Sequence, residues 1–352
     1  MPKAFPPAKR KRLAAAIPDG PALSESAIQP HRSKRLWMPY GDIILQAEAT
    51  QFRVNRDVLA RNSPVFREMF ATQLPDQPTI EGCAIVILSD AAMDWELLLE
   101  RLYDYQFQYE SALPFDVVAA LLRLGSKYHI SVAKENAIWR IRHEFPAVLD
   151  LWDEVEAGIR MQKIQYRPSL LLDMLSLAYD GGVSSSVPIL AACCLRTFDM
   201  ATLLQDKIQR EDGSYVVLSD PMKRALLNAS ERILEFELEL FNWLEDDWVI
   251  PHEWCTTMTT CRQRRRELHG MFSMGQGEWR YNALAVWHAD SEWGDGLCEV
   301  CEVAGRTRFN ANRHRAWEAL PGFLNLPPWG ELKDLEKPFL LSSSIWVNEV
   351  QA

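Results

Sequence analysis

The chain has 352 residues, 48% of them hydrophobic, which is enough for two or three domains with cores of their own. Its formal net charge is −10, which argues against a general nucleic-acid binder, because such proteins usually carry an excess of positive charge. No run approaches the roughly 20 apolar residues that span a bilayer. The seven cysteines, with no secretory signal ahead of them, predict a reducing compartment, so we expect a protein of the nucleus or cytoplasm.

Residues 1–33 combine prolines, small residues and charges without periodicity, and this composition predicts a disordered tail. Four adjacent cations lie within it: Lys9, Arg10, Lys11 and Arg12. The run is compatible with a solvated tail. It is equally compatible with a nuclear-import signal, which must be exposed to reach an acidic receptor groove.

Residues 34–145 predict an α+β fold in which helices cover a small sheet. The apolar runs 43–45 and 52–54 are expected to be two strands, joined as a hairpin by the turn-like residues 47–50. Two short helices follow, and Ser63 is placed to cap the second of them.

The second half of this segment continues with a strand and then helices. Ala84–Leu88 is a candidate for a buried strand, and Asp90 is placed to cap the helix after it. Apolar residues then recur at helical spacing until Pro146, where we expect the segment to end.

Residues 146–250 predict a mainly helical extension. One helix is expected over Leu170–Tyr179, ended by two glycines, and another over Pro188–Phe198. A third begins near Asp220, where a proline occupies its first turn. Its apolar stripe runs on at steps of three and four residues as far as Leu244.

Residues 251–352 predict a small C-terminal module. They contain four of the seven cysteines and four of the seven histidines, together with many tryptophans, glycines and arginines. A final helix is expected over Asn310–Leu320, stopped by Pro321 and Gly322.

Four cysteines in this module have spacings that suggest a metal site. Cys298 and Cys301 form a CxxC pair, and Cys255 and Cys261 form a wider one. Four thiolates can hold zinc tetrahedrally at about 2.3 Å each, so the pattern is compatible with a structural zinc ion as well as with free thiols. A redox-active CxxC is less favoured, because it normally opens a helix in a βαβ unit. Four histidines are candidate substitute ligands: His252, His269, His288 and His314.

A basic run, Arg262–Arg266, lies beside these cysteines. It is compatible with a contact to nucleic acid or to an acidic partner. It is also compatible with a solvated helix face that pairs with the acidic stretch Glu245–Asp247.

Several stretches follow one another in a recognisable order between residues 40 and 128. They are Tyr40-Gly41-Asp42-Ile43-Ile44-Leu45, Phe52-Arg53-Val54-Asn55-Arg56-Asp57-Val58-Leu59, Ser63-Pro64-Val65-Phe66, Met69-Phe70, Val86-Ile87-Leu88-Ser89-Asp90, Leu98-Leu99-Glu100-Arg101-Leu102-Tyr103 and Leu124-Gly125-Ser126-Lys127-Tyr128. In this order and spacing they resemble a BTB/POZ domain.

The resemblance implies a homodimer, built in this family from an N-terminal helix and nearby strands. It also places Asp42 and Arg56 as a charged pair near the dimer groove, with the alternative that they are an ordinary surface ion pair. Asn55 stands where the family usually has histidine, so the ligands known for that groove do not carry over. An asparagine there is still suited to a cap or a turn.

Many members of the family are substrate adaptors of a cullin ubiquitin ligase. The hydrophobic–any–acidic motif of those members is matched only in part by Leu74-Pro75-Asp76, which follows Phe70 at the end of the second helix. The later regions resemble the helical extension and cysteine-bearing tail of fungal BTB proteins. The stretches 317–321 and 326–329 fit the pattern of that tail.

No hydrolase, P-loop, kinase or zinc-protease signature is present, so we expect a non-enzyme. The sequence therefore predicts a dimeric adaptor that binds other proteins, with a cullin among the candidate partners and neither nucleic acid nor membrane among the expected ones. The alternative is a nuclear transcription or chromatin regulator that contacts nucleic acid through the basic C-terminal module.

Overall fold

The computed structural model describes residues 29–72, 79–104, 111–167, 170–245, 249–273, 283–289 and 291–335. Its first part is a five-stranded sheet in the order β1-β3-β2-β5-β4. The strands are β1 (His31–Trp37), β2 (Ile43–Ala47), β3 (Thr50–Val54), β4 (Thr79–Ile80) and β5 (Cys83–Leu88).

The predicted hairpin forms the centre of this sheet. Strands β2 and β3 are antiparallel, with Leu45 opposite Phe52, and β2 is parallel to β5, with Leu45 opposite Val86. All three of these side chains are buried, so the apolar residues that predicted the strands also build the core.

Strand β1 was not expected, and it begins at His31, ahead of the predicted boundary at residue 34. It pairs in parallel with β3 at the edge of the sheet and is mostly polar, with Ser33 and Leu36 buried. Because those two residues are three apart, the strand shows no period of two that would reveal it in the sequence.

Five helices complete this part of the molecule. They are α1 (Arg56–Asn62), α2 (Pro64–Ala71), α3 (Ala92–Asp104), α4 (Phe115–Lys127) and α5 (Ser131–Glu144). Ser63 caps α2 as predicted, because its hydroxyl accepts the Phe66 N–H at 3.2 Å. Asp90 does not cap α3. The Ala92 N–H is bound by the Glu48 carboxylate instead, while Asp90 accepts the side-chain hydroxyl of Tyr128.

The extension is helical, as predicted. Its helices are α6 (Leu149–Glu156), α7 (Leu170–Asp180), α8 (Val187–Thr197), α9 (Met200–Leu203) and α10 (Asp220–Phe241), and a short hairpin joins β6 (Ile208–Gln209) to β7 (Tyr215–Val216). Helix α10 ends at Phe241, and a 3-10 turn over Asn242–Leu244 carries the end of the predicted apolar stripe.

The last two helices are α11 (Met258–Ser273) and α12 (Glu299–Phe323). The expected helix over Asn310–Leu320 is therefore wrong at both ends, and Pro321 lies inside α12. Proline has no N–H for the carbonyl four residues earlier, which here belongs to Trp317. That carbonyl accepts the indole N–H of Trp329 at 2.7 Å, and the two rings stack with centroids 4.9 Å apart. The Trp317 carbonyl thus receives a hydrogen bond from a side chain outside the helix in place of the missing backbone N–H.

One apolar core joins the sheet to the extension. It runs from Leu45 in the sheet through Leu122 in α4 to Leu175 in α7 and Leu190 in α8. A second, smaller core surrounds the start of α12 and contains Phe241, Phe272, Trp287, Cys301 and Phe309 among its residues. Within the described residues, no helix combines the length and the apolar character that crossing a membrane requires.

Candidate interaction surface and metal centre

Three residues assigned to a dimer groove converge at the N-terminus of α1. Asp42 precedes β2, and Asn55 and Arg56 follow β3, so the hairpin brings them together. The Arg56 backbone N–H donates to Asp42 Oδ1 at 2.8 Å. The Arg56 side chain lies farther away, with Nε 3.9 Å from Asp42 Oδ2. The predicted pairing of Asp42 with Arg56 is therefore chiefly a helix cap and only secondarily an ion pair.

Asn55 fixes the loop ahead of β2. Its Nδ2 donates to the Tyr40 carbonyl at 2.9 Å, and its Oδ1 accepts the Tyr103 hydroxyl at 3.1 Å. Burial raises the pKa of Tyr103, so its hydroxyl keeps the proton that it donates to Asn55. Asn55 occupies the N-cap position of α1, but its side chain makes no capping hydrogen bond.

The fixed loop presents Tyr40, whose side chain is 91% exposed. We call Tyr40, Asp42 and Arg56 the hairpin patch. An exposed aromatic ring beside charged groups is a suitable contact for another protein, because tyrosine and arginine are enriched at interfaces. The sequence did not single out Tyr40 or Tyr103. The partner of Tyr103 lies 48 residues away along the chain, a distance at which spacing carries no information.

The residues proposed for cullin contact are described only in part. Phe70 lies in α2, half-buried, with its ring centroid 5.7 Å from that of Phe66. The Arg56 guanidinium lies over the same ring, also at 5.7 Å. Leu74 and Asp76 fall outside the described residues, and so does the basic run at residues 9–12.

The fold brings together the four cysteines of the C-terminal region. Among the described residues, the sulfur atoms of Cys255, Cys261, Cys298 and Cys301 form one cluster and lie within 4.8 Å of one another. The Sγ atoms of Cys255 and Cys298 are 3.8 Å apart. Cys261 and Cys301 are buried, and the other two are partly exposed. This arrangement could hold a metal ion.

Two helix N-termini position three of these sulfurs. Cys261 lies in the first turn of α11, Cys298 is the N-cap of α12, and Cys301 lies in the first turn of α12. Cys255 closes a turn in which its N–H donates to the His252 carbonyl at 2.9 Å. The CxxC pair does open a helix, but no βαβ unit surrounds it among the described residues.

Backbone and side-chain donors surround the sulfurs. The His252 N–H donates to Cys301 Sγ and the Cys298 N–H to Cys261 Sγ, each at 3.3 Å. Burial by itself would raise the pKa of Cys298, but hydrogen bonds from Cys301 and Thr256 lower that pKa to about 5. Burial raises the pKa of Cys301 instead. The cluster therefore favours a thiolate at Cys298.

The four histidines suggested as substitute ligands are not part of this cluster within the described residues. His252 contributes its backbone N–H to Cys301, and His269 faces Glu245, with Nε2 3.3 Å from a carboxylate oxygen. His288 and His314 are exposed.

The basic run does not form one continuous face. Arg265 is buried, and Arg264 donates to the Glu292 carbonyl at 2.7 Å and to the Glu267 carboxylate at 3.1 Å. Arg262 and Arg266 are exposed. Glu245 of the acidic stretch is paired with His269, which lies outside the basic run. Residues 246–247 lie outside the described part of the chain.

The remaining cysteines lie in apolar surroundings. Cys193 and Cys194 are buried in α8, and Cys83 is buried in β5. Burial raises the pKa of Cys193 to about 12 and also raises that of Cys194. These two thiols stay protonated near neutral pH, as expected of packing residues.

Comparison with known proteins identifies one domain. A family model for the BTB/POZ domain matches residues 33–138, the part of the chain that runs from β1 into α5. No curated protein matches the chain.

Proposed function

Residues 33–138 are a BTB/POZ domain, and on that premise we propose that the protein is an adaptor that dimerises through this domain and binds other proteins with the rest of the chain. BTB/POZ domains are generally interaction modules rather than enzymes. The match to this domain is the single observation that carries the proposal.

The hairpin patch supports a contact at this end of the domain. Tyr40 is exposed, yet Asn55 holds its loop in place by hydrogen bonds. A backbone segment that is fixed before binding loses little conformational entropy when a partner covers it. Aromatic and arginine side chains also supply a large part of the binding energy at many interfaces. We therefore assign the hairpin patch to the dimer interface.

Sedimentation of the full chain at micromolar concentrations tests this assignment. We expect a dimer, and we expect Tyr40→Ala to raise the dimer dissociation constant about tenfold or more, as for an interface hot spot. The substitution should not disturb folding, because Asn55 binds the backbone carbonyl of residue 40 and not the ring. Tyr166→Ala is the matched control, since that tyrosine is 74% exposed and lies outside the BTB/POZ domain.

A full-length chain that stays monomeric throughout this concentration range would remove dimerisation from the proposal. A dimer that Tyr40→Ala leaves as tight as the control would keep dimerisation and exclude the hairpin patch as its interface.

A cullin is the partner that we propose for the adaptor. Phe70 lies near the end of α2, directly ahead of the segment that contains Leu74 and Asp76. A titration of the full chain with a cullin N-terminal domain should show binding, and Leu74→Ala with Asp76→Ala should weaken it about tenfold or more. If the unaltered chain does not bind, the cullin role is wrong, whereas the adaptor role depends on the dimer and on other partners.

A further inference from the structure

We propose that Cys255, Cys261, Cys298 and Cys301 bind one structural zinc ion. Four sulfurs at about 2.3 Å from a tetrahedral zinc lie about 3.8 Å from one another. The Sγ atoms of Cys255 and Cys298 are separated by 3.8 Å, and all four sulfurs lie within 4.8 Å. The cysteines therefore already lie near the positions that the ion requires. A zinc site here would be separate from the adaptor function.

The donor set selects the kind of metal. Calcium and magnesium take oxygen ligands, whereas thiolates suit zinc and other soft or borderline cations. Four protein ligands also fill the tetrahedral shell and leave no position for water or substrate. The site is therefore structural and not catalytic.

The surroundings of the sulfurs suit a negatively charged centre. Four thiolates and one Zn²⁺ carry a net charge of about −2, which nearby donors must balance. The His252 and Cys298 N–H groups donate to two of the sulfurs, and the Thr257 hydroxyl lies 3.3 Å from a sulfur, that of Cys261. The N-termini of α11 and α12 add their positive dipole ends.

The ion would join two parts of the chain that are far apart in sequence, one with Cys255 and Cys261 and the other with Cys298 and Cys301. Cys255 and Cys298 are 43 residues apart, and the connection between α11 and α12 has little regular structure among its described residues. The core beside the site is small and mostly aromatic. A metal that crosslinks such a region contributes directly to its folding. We therefore expect metal loss to loosen α11 and the start of α12 while the core of the BTB/POZ domain stays folded.

Metal analysis of the full chain, purified under reducing conditions without a chelator, is the first test. We expect about one equivalent of zinc per chain, and replacement by Co²⁺ should give the visible d–d bands of a tetrahedral site and a near-ultraviolet thiolate charge-transfer band. Less than about 0.2 equivalents of zinc, together with no such cobalt spectrum, would overturn the proposal.

Variants then assign the ligands. Cys298→Ser and Cys261→Ser should each reduce bound zinc at least about tenfold. Cys83→Ser is the matched control: Cys83 lies outside the cluster, and a serine hydroxyl can make the same bond to the Gly41 carbonyl that the thiol makes at 3.4 Å. If the two cluster variants hold as much zinc as the control, the ligand assignment is wrong.

A labelling experiment on the unaltered chain gives a result even if those variants do not fold. Cys255 and Cys298 are partly exposed, so N-ethylmaleimide should modify them about ten times faster after chelation than before, as read by mass spectrometry of their peptides. Equal rates in the two states would overturn the proposal. A Cys255–Cys298 disulfide in protein freshly purified under reducing conditions would also overturn it.

Discussion

Asp42 acts on α1 from outside the helix. A capping side chain usually belongs to the residue just before the helix, which here is Asn55. The hairpin instead delivers Asp42 from the start of β2, and its carboxylate accepts the Arg56 N–H. Because Asp42 accepts the first N–H of the helix, the Asn55 side chain binds Tyr40 and Tyr103 instead of capping α1.

Asp42→Ala should therefore lower the free energy of unfolding by about 1 kcal/mol, the usual cost of losing a cap. Asp42→Asn should cost less, because an amide oxygen can accept the same N–H and only the distant ion pair to Arg56 is lost. Urea titrations of the full chain measure both. Glu68→Ala, at an exposed acidic position on α2, is the control and should be near neutral. Equal losses for the alanine and asparagine variants would show that charge, and not the cap, is what matters.

At the scale of elements, the sequence predicts helices well where apolar residues keep a helical spacing. It predicts them poorly where a tertiary contact offsets the local effect of a residue such as proline. The expected helices over residues 170–179 and 188–198 each form within one residue of their predicted ends. Helix α12 continues through Pro321 because Trp329 binds the carbonyl that the proline leaves vacant. The tryptophan follows the helix in sequence, but its hydrogen bond depends on the path of the chain between them, which no local pattern gives.

This account of α12 predicts a non-additive pair of substitutions. Trp329→Phe keeps an aromatic ring but removes the donor, so it should destabilise the protein by about 1 kcal/mol, the net worth of a hydrogen bond. Pro321→Ala restores a backbone N–H to the Trp317 carbonyl. In that background Trp329→Phe should cost clearly less, and a double-mutant cycle from urea titrations gives the coupling. Additive losses would mean that the indole N–H does not stand in for the missing backbone donor.

At the scale of the whole molecule, the sequence predicts which cysteines form the cluster but not how the fold brings them together. The CxxC spacing identifies Cys298 and Cys301, whereas the approach of Cys255 and Cys261 depends on how the fold brings the start of α11 and the turn before it to the start of α12. The shared core is a second example. Buried residues on both sides of the predicted boundary at residue 146 belong to one cluster, and composition alone does not reveal that two segments share apolar surface.

The BTB/POZ domain and the extension pack closely at Gly181, directly after α7. A Cβ at this position would lie 2.6 Å from both Leu122 Cδ2 in α4 and the Leu177 carbonyl oxygen. Leu122 is fully buried, so it cannot move aside without displacing α7 from α4. The Leu177 carbonyl belongs to the last turn of α7, which would itself have to distort. The absence of a side chain at residue 181 thus allows the end of α7 to approach Leu122 of α4 at this point.

Gly181→Ala should consequently destabilise the full chain by about 1–3 kcal/mol, the range for an overpacked core. Gly270→Ala is the matched control. Gly270 lies in α11, and a Cβ there would meet no atom within 4 Å apart from the backbone of its own helix, so alanine should stabilise the protein by about 0.5–1 kcal/mol. Both changes restrict the unfolded chain in the same way, so the difference in melting temperature between them reports the clash. If Gly181→Ala melts at or above the temperature of the control, α4 and α7 are not held together at this point.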